Sequence, residues 1–178
     1  MSEVKSNPMK DFGIPTIVLT LICAIAAAAM VCVYEITAPI IAANTKAAAD
    51  AARAEVYVGV SGFEEIDVSA FENCSEAYKT SGGEGYVFTT AAKGFDGPVT
   101  VMTAIDMNGT IVGVKVLSHT ETPGLGSRAT EAGYLEQYIG MDSDLSGVEF
   151  IAGVTYSGRG VNAAVTAAFE AFESVKGQ

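Results

Sequence analysis

The chain has 178 residues and a net charge of −11, enough for one domain with accessory segments. Beyond residue 43 it carries 18 acidic against 8 basic side chains. Because nucleic acid is bound through clustered Lys and Arg, this charge argues against a nucleic-acid partner and favours a soluble acidic domain.

An apolar segment near the amino terminus is the clearest signal in the chain. From Phe12 to Tyr34, 23 residues pass without a charge, more than the roughly 20 that cross a bilayer as a helix. Alanines near Ala26 could mimic the cleavage site of a signal peptide, but the uninterrupted apolar run past Val31 favours a membrane anchor. Alanines such as Ala24 and Ala28 give it a small-residue face that a partner helix could approach.

The predicted organisation has four parts: a cytoplasmic tail (1–11), a transmembrane helix (12–43), an alanine-rich helical stalk after Pro39 (44–58) and an extracytoplasmic domain (59–178). The charges that flank the span are nearly balanced, so they orient it weakly. A short tail with Lys5, Lys10 and the terminal amine is easier to keep in the cytoplasm than to export, which predicts a single-pass protein of the cell membrane.

The domain is predicted to be α+β with a mainly antiparallel sheet. Segment 59–85 is polar and rich in glycine and predicts loop and short helix. Three runs rich in β-branched residues follow from Tyr86, and Asn108-Gly109 between two of them is a hairpin signal. We expect helices over 128–139 and 161–175, and a short strand or extended segment over 148–155.

Two loops that contain glycine could approach a ligand closely. The first contains Glu121, Thr122, Pro123, Gly124, Leu125 and Gly126. The second, predicted to stand just before the last helix, contains Ser157, Gly158, Arg159 and Gly160. A helix amino terminus with an arginine suits a phosphate, although a flexible turn with a solvated arginine explains the second loop equally well.

Other chemistry has little support in the sequence. Cys74 is predicted to be a small apolar filler, and the lone histidine, His119, a structural donor. No catalytic triad, metal cluster or paired-carboxylate site is apparent, so neither catalytic residues nor metal ligands are predicted.

These motifs and their order along the chain resemble those of a known protein family. An amino-terminal span, Gly85 to Phe88, Lys93 to Gly97, the hairpin and above all Glu121-Thr122-Pro123-Gly124-Leu125-Gly126 are similar to the G subunit of the Rnf ion-translocating electron-transport complex. The C subunit of the sodium-pumping NADH:quinone oxidoreductase is more distantly similar. Both contain an FMN-binding domain.

This resemblance implies an FMN-dependent electron-transfer subunit of an oxidoreductase and translocase complex rather than a self-contained enzyme. Its partners would be other Rnf-type membrane and iron–sulfur subunits. A flavin-free structural or assembly subunit and an independent membrane-anchored flavoprotein are the alternatives.

The family also implies how the flavin is held. A motif of the form Ser/Thr-Gly-Ala-Thr precedes its last helix, and a flavin transferase esterifies the threonine to the phosphate of FMN. Aligned on Ser157-Gly158, that threonine falls on Gly160, which has no hydroxyl, so covalent attachment at the family's usual site is predicted to be impossible here. Three interpretations follow: noncovalent FMN held by Arg159, attachment at Ser157 or Thr155, or no flavin.

Overall fold

The computed structural model describes residues 13–68, 71 and 73–176, and the chain divides into two compact units between Ala48 and Ala49. The predicted cytoplasmic tail, residues 1–11, lies outside the described residues.

Helix α1 (Ile14–Val56) has 43 residues and is the one helix of the described chain that is long and apolar enough to cross a membrane. Large apolar side chains such as Leu19, Ile22 and Ile25 are exposed along it, as expected for a surface that hydrocarbon would cover. The predicted membrane-length helix is confirmed. The separate stalk helix after Pro39 is not observed, because Pro39 lies inside α1, as apolar membrane helices tolerate.

Five strands form one antiparallel sheet in chain order. They are β1 (Phe63–Ile66), β2 (Cys74–Thr80), β3 (Gly85–Lys93), β4 (Pro98–Asp106) and β5 (Ile111–His119). The predicted hairpin turn is confirmed: Gly109 has a φ of +85°, and the Asp106 carboxylate accepts hydrogen bonds from the backbone amides of Asn108 and Thr110 at 2.9 and 2.8 Å.

The prediction for segment 59–85 was wrong, because β1 and β2 both lie there. Both strands are polar and only partly buried. Strand β2 pairs with β3 and β1 pairs with β2, which brings both into the sheet even though their apolar pattern is weak.

Each face of the sheet is covered by a helix. On one face, α3 (Thr155–Val175) contributes Val165 and Phe172 to a core with Phe88 and Ile105. On the other face, Ala52 and Val56 at the end of α1 pack with Val87 and Met102.

Two ion pairs flank the end of α1 on this second face. Arg53 reaches Glu76 of β2 at 3.4 Å, and Glu55 pairs with Lys115 of β5. Gly113 of β5 lies so close to the Val56 carbonyl that a side chain there would collide with it. The carboxyl end of α1 is therefore part of the folded domain.

Two helix predictions were wrong in detail: no single helix forms over 128–139, and α3 begins earlier than expected. In place of one helix over 128–139 there are a 3₁₀ turn (Gly126–Thr130), a single α turn, α2 (Ala132–Leu135), and another 3₁₀ turn (Glu136–Tyr138). Glycines within this stretch disfavour a continuous helix. No strand forms in residues 148–155, and α3 begins at Thr155, six residues before the predicted start.

Candidate functional site

The two glycine-containing segments meet at a small cavity of about 110 Å³. Its walls come from the β3–β4 turn, the loop after β5 and the start of α3. The lining residues are Phe95, Glu121, Thr122, Leu125, Gly126, Gly153, Val154, Tyr156 and Ser157. Of the predicted site residues, Glu121, Thr122, Leu125, Gly126 and Ser157 line the cavity, whereas Pro123, Gly124, Gly158, Arg159 and Gly160 do not.

Glu121 is the structural centre of the site and is only 3% exposed. One carboxylate oxygen accepts a hydrogen bond from the backbone amide of Phe95 at 2.8 Å, and the other accepts one from the Ser157 hydroxyl at 2.5 Å. Burying a carboxylate is costly unless it is hydrogen-bonded. Since both oxygens have partners within the protein, Glu121 joins the three walls of the cavity.

Neighbouring glycines make room for this carboxylate. A side chain at Gly94 would collide with one oxygen of Glu121, and a Cβ at Gly126 would lie 2.5 Å from the other. Gly124 has a φ of +74°, which glycine adopts without strain. The glycines around Glu121 therefore serve close packing and a turn.

The amino terminus of α3 opens beside the cavity. Its first helical hydrogen bond runs from the Gly158 amide to the Val154 carbonyl at 3.0 Å. Within the described residues, the amides of Thr155, Tyr156 and Ser157 have no hydrogen-bond acceptor. Free amides at the positive end of a helix dipole suit a phosphate.

The predicted second loop is in fact the first turns of α3. Ser157, Gly158 and Gly160 are buried, and Arg159 is exposed. A Cβ at Gly158 would lie 2.8 Å from the Phe150 ring, and one at Gly160 would lie 2.7 Å from the Cα of Gly94. These glycines are close helix contacts, and the interpretation as a flexible turn was wrong.

Neither His119 nor Cys74 adds a reactive group. His119 is exposed at the end of β5 and outside the cavity lining. Cys74 is buried, and burial raises the pKa of its thiol, consistent with an apolar filler. Among the described residues no group of His, Cys, Asp and Glu is arranged to hold a metal ion.

Residues 94–170 match the FMN-binding domain family. The resemblance to this family is confirmed. The match begins at the β3–β4 turn and ends within α3, so it includes all three walls of the cavity.

The chain is also similar to named proteins. The chain is 48% identical over 40 residues to the G subunit of the ion-translocating oxidoreductase complex of Vibrio vulnificus, a match that covers 22% of this chain and 19% of that protein. It is 23% identical over 162 residues to the G subunit of the proton-translocating ferredoxin:NAD(+) oxidoreductase complex of Clostridium ljungdahlii, covering 85% and 86%. The matched segment thus spans only about a fifth of the Vibrio relative.

A solved structure supports the fold. The crystal structure of Shewanella oneidensis NqrC aligns with a TM-score of 0.50 and 20% identity, covering 70% of this chain and 73% of that one. The predicted α+β fold with its antiparallel sheet is confirmed.

The start of α3 also changes how the family's attachment motif is placed. The four residues that end at the first helical position are Ala152, Gly153, Val154 and Thr155. They match the Ser/Thr-Gly-Ala-Thr pattern at its glycine and its threonine. The sequence alignment on Ser157-Gly158 placed the threonine at Gly160, which is buried one turn into the helix.

Several lining residues were missed by the sequence analysis. Phe95 lies in the Lys93-Gly97 turn that carried part of the resemblance, and Gly153, Val154 and Tyr156 surround the helix start. Two sequence signals were available for them. Phe95 is an aromatic residue between Gly94 and Gly97, and Gly153 comes shortly before the hydroxyl residue Thr155.

Removing the Glu121 carboxylate should destabilise the fold around the cavity. We expect Glu121→Ala to lower the free energy of unfolding by about 3 kcal/mol, because the Phe95 amide and the Ser157 hydroxyl lose a charged acceptor. Chemical denaturation of the full chain in detergent measures this. Glu173→Ala, at an exposed glutamate of α3, is the control, and equal stability of the two variants would contradict the role given to Glu121.

A second prediction concerns Gly160. Exchanging a helical glycine for alanine ordinarily stabilises a helix by up to about 1 kcal/mol. Here we expect Gly160→Ala to destabilise the domain by about 1–3 kcal/mol, because the added methyl group meets the Gly94 backbone. The same denaturation experiment tests the sign, with the exposed Ala163→Gly as the propensity control. A gain in stability for Gly160→Ala would show that α3 can move away from the turn.

Proposed function

We propose that the protein is a membrane-anchored electron-transfer subunit of an Rnf-type ion-translocating complex and carries FMN at the cavity beside α3. The observation that carries the proposal is the position of Thr155. Its hydroxyl belongs to the first residue of α3, beside the unpaired amides of the helix start and between Val154 and Tyr156, which both line the cavity. The names of the relatives give the class of complex.

The residues present fit the phosphate end of FMN. Three amides without acceptors within the described chain and the positive end of the α3 dipole favour an anion at this point. Thr155 is partly exposed, whereas Ser157 is buried and donates its hydroxyl hydrogen to Glu121. Thr155 is therefore the better attachment point of the two hydroxyls that the sequence offered.

The size of the cavity also favours a covalent link. At about 110 Å³ it is much smaller than the roughly 300–1,000 Å³ of pockets that enclose a ligand. It would enclose part of the flavin and leave the rest open, so noncovalent contacts alone would bind it weakly. A phosphoester to Thr155 would retain the cofactor without an enclosing pocket.

The attachment is a substitution at phosphorus. A flavin transferase would present a dinucleotide in which the FMN phosphate is joined to a second nucleotide. The Thr155 oxygen would bond to the FMN phosphorus as the P–O bond to the second nucleotide breaks, that nucleoside monophosphate would leave, and the hydroxyl proton would pass to a base. When bound, FMN supplies the ability to accept and release electrons. The domain's own residues hold the phosphate, orient the cofactor and shield one side of it.

Arg159 has a supporting role in this proposal. It lies four residues after Thr155 on the same helix, so the two residues share a face. Helical side chains lean toward the amino terminus, which brings the guanidinium toward the phosphate site. The exposed Arg159 has no ion pair within the described residues, which leaves it available to a phosphate.

The membrane arrangement completes the proposal. We place residues 1–11 in the cytoplasm, 12–43 in the membrane and 59–178 outside, with 44–58 as a helical stalk that continues α1 and packs on the sheet at Ala52 and Val56. The short tail with two lysines supports this orientation. Membrane and iron–sulfur subunits of the complex would supply and receive the electrons.

The attachment site can be tested by intact mass. Expressed with a flavin transferase, the wild-type chain should gain the mass of FMN less one water and keep its yellow colour after acid precipitation. Thr155→Val should lose both, and Ser157→Ala should keep both. Added mass that persists in Thr155→Val would place the ester elsewhere, and a colourless wild-type chain of unmodified mass would favour the flavin-free structural subunit.

The contribution of Arg159 is tested separately from the ester. In Thr155→Val chains, Arg159→Ala should weaken noncovalent FMN binding about tenfold, since a hydrogen bond to a charged group contributes about 1.5–3 kcal/mol. Fluorescence titration with FMN measures this, and riboflavin, which lacks the phosphate, is the matched control ligand. An equal loss of affinity for riboflavin would show that Arg159 acts through something other than the phosphate.

A further inference from the structure

Two aromatic side chains stand at the mouth of the cavity and remain largely in solvent. Phe95 and Tyr156 are each 68% exposed, and their ring centroids lie 6.2 Å apart at an interplanar angle of 52°. Leu125 beside them is 53% exposed. Exposed apolar patches with polar rims mark binding surfaces, and the helix amides and Thr155 supply the polar rim here.

The backbones under these rings are held firmly. The amide of Phe95 is bonded to buried Glu121 at 2.8 Å. Tyr156 lies in the first turn of α3, next to Ser157, whose hydroxyl is bonded to the same carboxylate. Both side chains are largely exposed, so the protein fixes where the rings are attached and leaves their faces open to a ligand.

The position of Tyr156 identifies the ligand group that fits this patch. It directly follows Thr155, the proposed attachment residue, and the ribityl chain of an attached FMN would lead away from that point. The flat, largely apolar isoalloxazine ring is the part of the cofactor that an aromatic surface binds best.

We infer that the rings of Phe95 and Tyr156 form the platform for the isoalloxazine ring, with Tyr156 the positioning residue that packs against its face. This inference rests on the proposed function, because it assumes FMN at the cavity. The platform orients the exposed cofactor, which the small cavity alone does not enclose.

The test uses the full chain in detergent, loaded with FMN and matched for flavin mass. Tyr156→Ala should increase flavin fluorescence several-fold and reduce the visible circular dichroism of the flavin, because the ring that orders it is gone. Tyr156→Phe keeps the ring and should resemble the wild type. Phe95→Ala should change the same signals in the same direction.

Failure of the inference is distinguishable from failure of the proposed function. If FMN is attached at Thr155 but the Tyr156→Ala spectra match the wild type, the platform is wrong and the ester stands. If the wild-type chain gains no flavin mass, the ester is wrong, and titration with free FMN then tests the platform. Tyr156→Ala should then raise the Kd about threefold to tenfold; an unchanged Kd, or no binding by the wild type, overturns the platform.

Discussion

The buried carboxylate of Glu121 is the constraint on which the site depends. A carboxylate this deeply buried must accept hydrogen bonds, and its donors come from Phe95, 26 residues before it, and Ser157, 36 residues after it. Three segments distant in sequence are thereby fixed around one side chain. The glycines at 94 and 126 follow from the same requirement, because a side chain at either position would occupy the space of the carboxylate.

The position of α3 follows from a second close contact. Gly160 faces the Gly94 backbone with no space for a Cβ, which draws the first turns of the helix against the β3–β4 turn. Since Gly94 also borders Glu121, the helix contact and the carboxylate share one glycine. Together they bring the amino terminus of α3, and with it Thr155, to the edge of the cavity.

The parts of the fold that were predictable have a local signal. Three elements could be predicted from their own local sequence. They are the apolar run of α1, the β-branched strands from Tyr86 and the Asn108-Gly109 turn. Strands β1 and β2 lack such a signal, because they are polar and form by pairing, β2 with β3 and β1 with β2. The start of α3 was misplaced because Gly158 and Gly160 indicate a turn by local preference, whereas tertiary packing requires them in a helix. The same error aligned the family's attachment threonine with Gly160, whereas the observed helix start leads to the proposal of Thr155.

The small cavity and the exposed rings are consistent with a compromise between access to a cofactor and tight binding of it. A cofactor that exchanges electrons with other proteins has to remain accessible, yet an accessible ligand buries little surface and is bound weakly by noncovalent contacts. A covalent link removes the need for an enclosing pocket but leaves the attached group free to rotate. Orientation must then come from surface groups with fixed backbones, and Glu121 fixes the backbones that carry Phe95 and Tyr156. On this argument the buried carboxylate would orient a cofactor at the cavity by fixing the backbones that carry the two rings.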